Sequence, residues 1–185
     1  MPAYAGTTRS ECVSAGEIAV TFPWIALRGH SNDETGRIGA PVTAPDLLRF
    51  TTAQAPVHGR VVEELTAGCK RTHWMWFIFP QLAGLGYSAM AQRYAIRDLD
   101  QAARYLADPV LGSRLRDDVR LMMAHKGKSA LQILGSPDDL KFRSCLTLFG
   151  RAASDSSDRM LFAQALDQFY GGEGDPRTLE LLRST

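Results

Sequence analysis

The polar residues best suited to chemistry stand at the entrance to one aromatic segment, which reads Lys-Arg-Thr-His-Trp-Met-Trp-Phe-Ile-Phe-Pro-Gln over residues 70–81. Lys70 supplies a positive charge that can hold an anion, and His73 is the side chain type that titrates near neutral pH. Trp74 and Trp76 follow directly, and an aromatic face packs well against a flat group. The segment therefore predicts a pocket for a ligand that carries a negative charge and a planar part.

Two interpretations of His73 are compatible with its position. It is either a histidine at the edge of the core, with one ring nitrogen bonded to the backbone, or a ligand-binding or acid–base group. No zinc-like set of Cys and His residues surrounds it, so we predict no metal. Pro80 should end a short helix in this segment, and Gln81, which follows it, is a further candidate for ligand binding.

A second group of polar residues lies far away in the sequence. Lys141, Ser144, Thr147 and Arg151 are three, three and four positions apart, so they share one face of a helix. This stripe of two cations and two hydroxyls can bind an anion or a polar ligand. Alternatively, the cations reach solvent and the hydroxyls bond to carbonyls one turn earlier in their own helix.

Two functions from different classes follow from these residues. If His73, Lys141 and Ser144 meet in one cleft, we expect the protein to bind or process a small anionic ligand such as a nucleotide or a phosphorylated metabolite. If they lie on separate surfaces, we expect a protein-interaction module that works through its charged helix faces or its N-terminal tail. The sequence identifies no reaction and leaves open whether the protein is an enzyme. The candidate ligand-binding residues are Lys70, His73, Trp74, Trp76, Gln81, Lys141, Ser144 and Thr147.

Helical signals recur along most of the chain. Apolar residues repeat at helical spacing and no segment alternates as a strand does, so we predict an all-α fold, a single compact domain of short helices over residues 45–185. Residues that favour the first position of a helix precede most of these segments. The predicted helix starts are Asp46, Ser88, Asp98, Asp108, Ser129, Ser136 and Asp175.

Charged residues on the predicted helix after Asp108 form what we interpret as its solvated outer face, and we expect His58 to be exposed as well. The residues of this face are Arg114, Arg116, Asp117, Asp118 and Arg120.

Composition excludes several classes of function. The formal net charge is +1, so no global field favours nucleic acid, and no apolar run is long enough to span a bilayer. Neither glycine-rich phosphate-binding motif is present, and we predict no cofactor. Three cysteines without a CxxC unit, together with the lack of a secretory signal, predict free thiols and a cytoplasmic location.

Residues 1–44 differ from the rest, because they are rich in small and polar residues and show no sustained periodicity. We predict a poorly ordered N-terminal extension here. A second hypothesis is that the protein starts at Val42, from an alternative start codon.

Four stretches resemble the domain-of-unknown-function family 1810, and the most specific is Gly68 to Gln81 with its His-Trp-x-Trp-Phe-x-Phe-Pro-Gln string. The other three are Gln92 to Ile96, Tyr105 to Gly112 and Asp138 to Phe149. The resemblance covers about residue 46 to the C-terminus. It implies a compact, mainly helical bacterial domain without an established activity. Cys69 and Cys145 depart from the residues usual in that family.

Overall fold

The structure is a computed structural model that describes residues 44–184. Ten α-helices and no strand lie in this part of the chain, where Leu82 and Ile96 form an isolated parallel bridge. The prediction of an all-α fold of short helices is therefore confirmed. The helices are α1 (Leu48–Gln54), α2 (His58–Thr66), α3 (Met75–Ile78), α4 (Ala89–Arg93), α5 (Leu99–Ala107), α6 (Leu111–Met123), α7 (Ala130–Leu134), α8 (Asp138–Ala152), α9 (Ser156–Tyr170) and α10 (Pro176–Arg183).

The predicted extension over residues 1–44 lies, except for its last residue, outside the described residues, and so does the alternative start at Val42. The described helices share one hydrophobic core. None of them is long and apolar enough to cross a membrane.

Helix α8 is the central element of the fold. It packs against α5, α7, α9 and α10, and its residues 144–149 are all buried, because neighbouring helices cover it on most sides. Aromatic rings tie it to the rest of the core: Phe142 contacts Phe79 with ring centroids 4.7 Å apart, and Phe149 contacts Tyr105 at 5.2 Å. The aromatic segment that contains α3 therefore lies directly beside α8.

Side chains at the expected positions begin several helices. Ser88, Asp98, Ser129 and Asp175 each accept a hydrogen bond from a backbone N–H in the first turn that follows them. Asp108 accepts from the N–H groups of Val110 and Leu111, at the start of α6. These predicted helix starts are confirmed, with α6 beginning two residues later than the Asp-Pro signal indicates.

Two of the predicted caps are wrong. The Asp46 carboxylate accepts hydrogen bonds from side chains of α5, so it holds α1 and α5 together while α1 begins without a side-chain cap. Ser136 forms a cis peptide bond with Pro137, and α8 begins after that proline, also without a side-chain cap. In both cases a tertiary contact or a turn takes the place of the local motif.

The interpretation of α6 as a helix with a solvated charged face is wrong for part of that face. Asp118 is only 1% exposed, and Arg116 donates two hydrogen bonds, of 2.6 and 2.7 Å, to the buried Asp158. His58 is also largely covered, with Nε2 at 3.2 Å from Asp118 Oδ2. The reason is that α2 packs on one side of α6 and α9 on another, so this face turns inward.

The cysteines divide into two cases. Cys145 is a free, fully buried thiol whose pKa is raised by burial. Cys69 is disulfide-bonded, so the expectation of a free thiol is wrong at this position.

Candidate functional site

The two tryptophans of the aromatic segment have different environments. Trp74 is buried, and its indole N–H donates a 2.8 Å hydrogen bond to Glu64. Trp76 is only partly buried and lines a surface groove. Positions two apart on a helical turn face different sides, so only the second tryptophan can contact a ligand in this groove.

Glu64 fixes the loop that leads into α3. Its carboxylate accepts the backbone N–H groups of Arg71 and Thr72, the Thr72 hydroxyl and the Trp74 indole N–H, at 2.8 to 3.1 Å. Burial raises the pKa of Glu64, but these hydrogen bonds more than offset it and hold the pKa below its ordinary value. The loop that carries Lys70 is therefore anchored to α2.

Lys70 and Lys141 meet on one carboxylate. The Lys70 ammonium lies 2.7 Å from Asp138 Oδ2, and the Lys141 ammonium lies 2.7 Å from Asp138 Oδ1. Burial raises the pKa of Asp138, yet the hydrogen bonds from the two lysines lower it below the ordinary value, so this group is ionised at neutral pH. We call Lys70, Asp138 and Lys141 the lysine–aspartate cluster.

The lysine–aspartate cluster lies between the two tryptophans. The Lys70 ammonium is 5.1 Å from the centre of the Trp74 ring, and the Lys141 ammonium is 5.2 Å from the centre of the Trp76 ring. Both distances are within the range of attractive cation–π contacts. Two positive charges and one negative charge leave one positive charge uncompensated within the cluster. The Lys70 side chain is 9% exposed, so part of this charge is shielded from water.

The groove beside Trp76 has a volume of about 500 Å³ and lies between residues 81–91 and the first turns of α8 and α10. This size falls within the usual range of small-molecule sites, roughly 300–1,000 Å³. Its walls combine apolar and polar side chains. The apolar ones are Trp76, Leu85, Tyr87 and Leu140, and the polar ones include Gln81, Lys141, Ser144, Asp175 and Arg177.

Ser144 and Thr147 make the local contacts that the second interpretation of the stripe predicts. The Ser144 hydroxyl donates to the Leu140 carbonyl at 3.1 Å, and the Thr147 hydroxyl donates to the Arg143 carbonyl at 2.8 Å. Ser144 still lines the groove. Thr147 does not, but its oxygen accepts the Asp175 backbone N–H at 2.8 Å and so fixes the start of α10 against α8.

The structure brings together only part of the predicted site. Trp76, Gln81, Lys141 and Ser144 line the groove, and Lys70 joins them through Asp138. His73 is exposed and lies outside the groove, and Trp74 lies in the core behind it. In residues 44–184, no group of three or more His, Cys, Asp or Glu residues is arranged to hold a metal ion.

Several residues of the groove and of the lysine–aspartate cluster were not selected from the sequence. Asp138 looks like an ordinary acidic residue in the first turn of a helix, and Arg177 looks like a solvated residue near the start of another. Tyr87 follows two glycines in a loop. No local pattern links these residues, because the groove forms only where three separate parts of the chain meet.

Comparison with known proteins places this domain in a family. A family model described as "Protein of unknown function (DUF1810)" matches residues 44–182. The chain belongs to the DUF1810 family. The conserved hypothetical protein Rv1873 from Mycobacterium tuberculosis, known from a crystal structure, is 51% identical, with a TM-score of 0.72 over 76% of this chain and 98% of that one. No curated protein matches the sequence. All residues that line the groove lie within the DUF1810 match.

Proposed function

We propose that the groove binds a small anionic ligand with a planar group, such as a nucleotide. The observation that supports this most directly is the position of the Lys141 ammonium, which contacts Asp138, lies over Trp76 and borders the groove. The anion would bind near Lys141, where one positive charge of the lysine–aspartate cluster is uncompensated. The planar group would pack against the indole of Trp76.

Charge and shape act together in this proposal. Arg177 lines the same groove as Lys141 and is exposed, so a phosphate-bearing ligand meets a second cation there, one that is paired with Glu180 at 2.7 Å. Ionised donors form shorter and stronger hydrogen bonds with phosphate oxygens than neutral donors do. This function implies a cytoplasmic protein, because nucleotides are made in the cytoplasm.

The test is isothermal titration calorimetry with ADP, phenyl phosphate and inorganic pyrophosphate. The first two probes combine a ring with phosphate, while pyrophosphate carries charge alone, so we expect ADP to bind more tightly than pyrophosphate. Lys141→Ala should weaken ADP binding by about 1.5–3 kcal/mol, the range for a hydrogen bond to a charged group. Lys126→Ala removes an exposed lysine from the turn between α6 and α7 and should leave binding unchanged.

His73→Ala distinguishes this groove from the wider site expected from the sequence. Because His73 lies outside the groove, we expect its alanine variant to bind ADP as the wild type does. Absence of saturable binding for all three probes, or binding that Lys141→Ala leaves unaltered, would refute the proposal.

A protein-interaction module is the second candidate function, and one observation favours it. Leu140 is 58% exposed and Tyr87 is 85% exposed, and both line the groove. Exposed apolar side chains of this kind are typical of interaction surfaces when they form a continuous patch. This alternative predicts that none of the three small anions binds and that the groove accepts an extended peptide instead.

A further inference from the structure

Gln81 has a rigid backbone position beside Trp76. Its carbonyl accepts the backbone N–H of Ile96 at 2.8 Å, and the Ile96 carbonyl accepts the N–H of Ala83 at the same distance. Leu82, between these two residues, forms the isolated bridge with Ile96. These hydrogen bonds hold the backbone from the Gln81 carbonyl to Ala83, so the Gln81 side chain starts from a fixed point.

Gln81 also lies where two cavities adjoin. It lines the groove and a smaller apolar cavity of about 150 Å³, and Gly86 and Ala91 are shared by the two as well. A Cβ atom at position 86 would lie 2.5 Å from the Ala91 Cβ, so only glycine lets the loop approach α4 this closely. Because Trp76 and Gln81 line the same groove, a ring that rests on Trp76 would occupy the space that Gln81 borders.

The Gln81 amide differs in its hydrogen bonding from Lys141, Ser144 and Arg177, which also line the groove. Lys141 donates to Asp138, Ser144 donates to a carbonyl of its own helix, and Arg177 donates to Glu180 at 2.7 Å. The side-chain amide of Gln81 makes no hydrogen bond with any residue in 44–184, although this residue is partly buried. A partly buried amide with free donors and a free acceptor is suited to a ligand that supplies both partners.

We infer that Gln81 is the specificity-determining residue of the groove and that it recognises the adenine ring of an adenine nucleotide. This inference rests on the proposed function and narrows its ligand class. A glutamine amide can donate to N7 of adenine and accept from its 6-amino group at the same time, because its oxygen and nitrogen lie side by side in one plane. Trp76 supplies the surface on which the ring packs, and Lys141 binds the phosphate.

The experiment compares ADP with 7-deaza-ADP, which lacks the N7 acceptor but keeps the ring, the amino group and the diphosphate. By calorimetry, the wild type should bind 7-deaza-ADP about fivefold more weakly than ADP, the effect of losing one neutral hydrogen bond. Gln81→Met keeps the length of the side chain and removes its hydrogen bonds, so it should bind the two nucleotides equally. Gln164→Met changes an exposed glutamine on α9 and should preserve the fivefold difference.

The possible results separate this inference from the proposed function. Equal affinity of the wild type for ADP and 7-deaza-ADP, with binding that Lys141→Ala weakens, would overturn the role of Gln81 and leave the anion site standing. A fivefold difference that persists in Gln81→Met would also overturn it. If no probe binds in a way that depends on Lys141, both proposals fail. Equal affinity of the wild-type protein for the two nucleotides would overturn the inference even if Gln81→Met lowers the melting temperature.

Discussion

Removal of the Glu64 carboxylate should destabilise the domain, because this one group accepts four hydrogen bonds from the loop that leads into the site. Glu64→Ala leaves the buried indole N–H of Trp74 without a partner, at a cost of about 1–3 kcal/mol. The donors of Arg71 and Thr72 lie in less buried residues and can reach water, so each bond lost there costs about 0.5–1 kcal/mol. Three bonds are lost there, so we expect a total loss of roughly 2.5–6 kcal/mol in the free energy of unfolding.

A milder change at the same position separates charge from geometry. Glu64→Gln can still accept the three hydrogen bonds that now reach Oε2, and its amide can donate to the Thr72 hydroxyl. Charge-assisted hydrogen bonds are about twice as strong as neutral ones, so we expect a smaller loss of about 1 kcal/mol. The low pKa of Glu64 implies that its contribution in the wild type is present at neutral pH and is lost as the pH falls through the folded-state pKa.

Urea denaturation followed by circular dichroism at 222 nm measures these losses. Glu63→Ala is the matched control, since Glu63 is an exposed neighbour on the same helix and should change stability by no more than about 0.5 kcal/mol. The reasoning is refuted if Glu64→Ala proves as stable as Glu63→Ala, or if Glu64→Gln costs as much as Glu64→Ala.

Two further predictions concern the core. Trp74→Ala should lower the free energy of unfolding by about 3–5 kcal/mol because it empties a fully buried site. Trp76→Ala should lower it by only about 1–2 kcal/mol because Trp76 is partly buried. Equal losses in urea denaturation would contradict the assignment of Trp74 to the core and Trp76 to the groove. Burial raises the pKa of Asp118, although its hydrogen bond with His58 opposes this, so the carboxyl contributes more to stability below its ordinary pKa than at neutral pH. In a His58→Gln background, which removes the histidine titration, we compare the free energy of unfolding of the protein that keeps Asp118 with that of the Asp118→Asn variant. The first minus the second should fall between pH 4 and pH 7. A constant or rising difference would show that burial does not control the pKa of Asp118.

Several properties of the candidate site depend on contacts between residues that are distant in sequence. Lys141, Ser144 and Thr147 were correctly placed on one helical face, yet two of them use their hydroxyls to satisfy carbonyls of their own helix. His73 stands next to the tryptophans in sequence but lies outside the groove. Asp138 joins Lys70 to Lys141, but the sequence does not predict this role. Acidic residues are common in the first turn of a helix because the helix dipole stabilises them there.

The sequence by itself determined the elements of this protein. The starts and ends of helices depend on interactions within a few residues, and such interactions can be recognised along the chain. The helical periodicity and Pro80 are examples, and so are the caps at Ser88, Asp98, Ser129 and Asp175. Tertiary packing alone decided which faces are buried. Because α8 is surrounded by other helices and α6 is covered on two sides, polar residues such as Asp118 and Thr147 lie inside, while Trp76 borders a groove. A side chain's burial is set by the neighbours that the fold brings to it, and these lie far away in the chain, as Phe79 and Phe142 do.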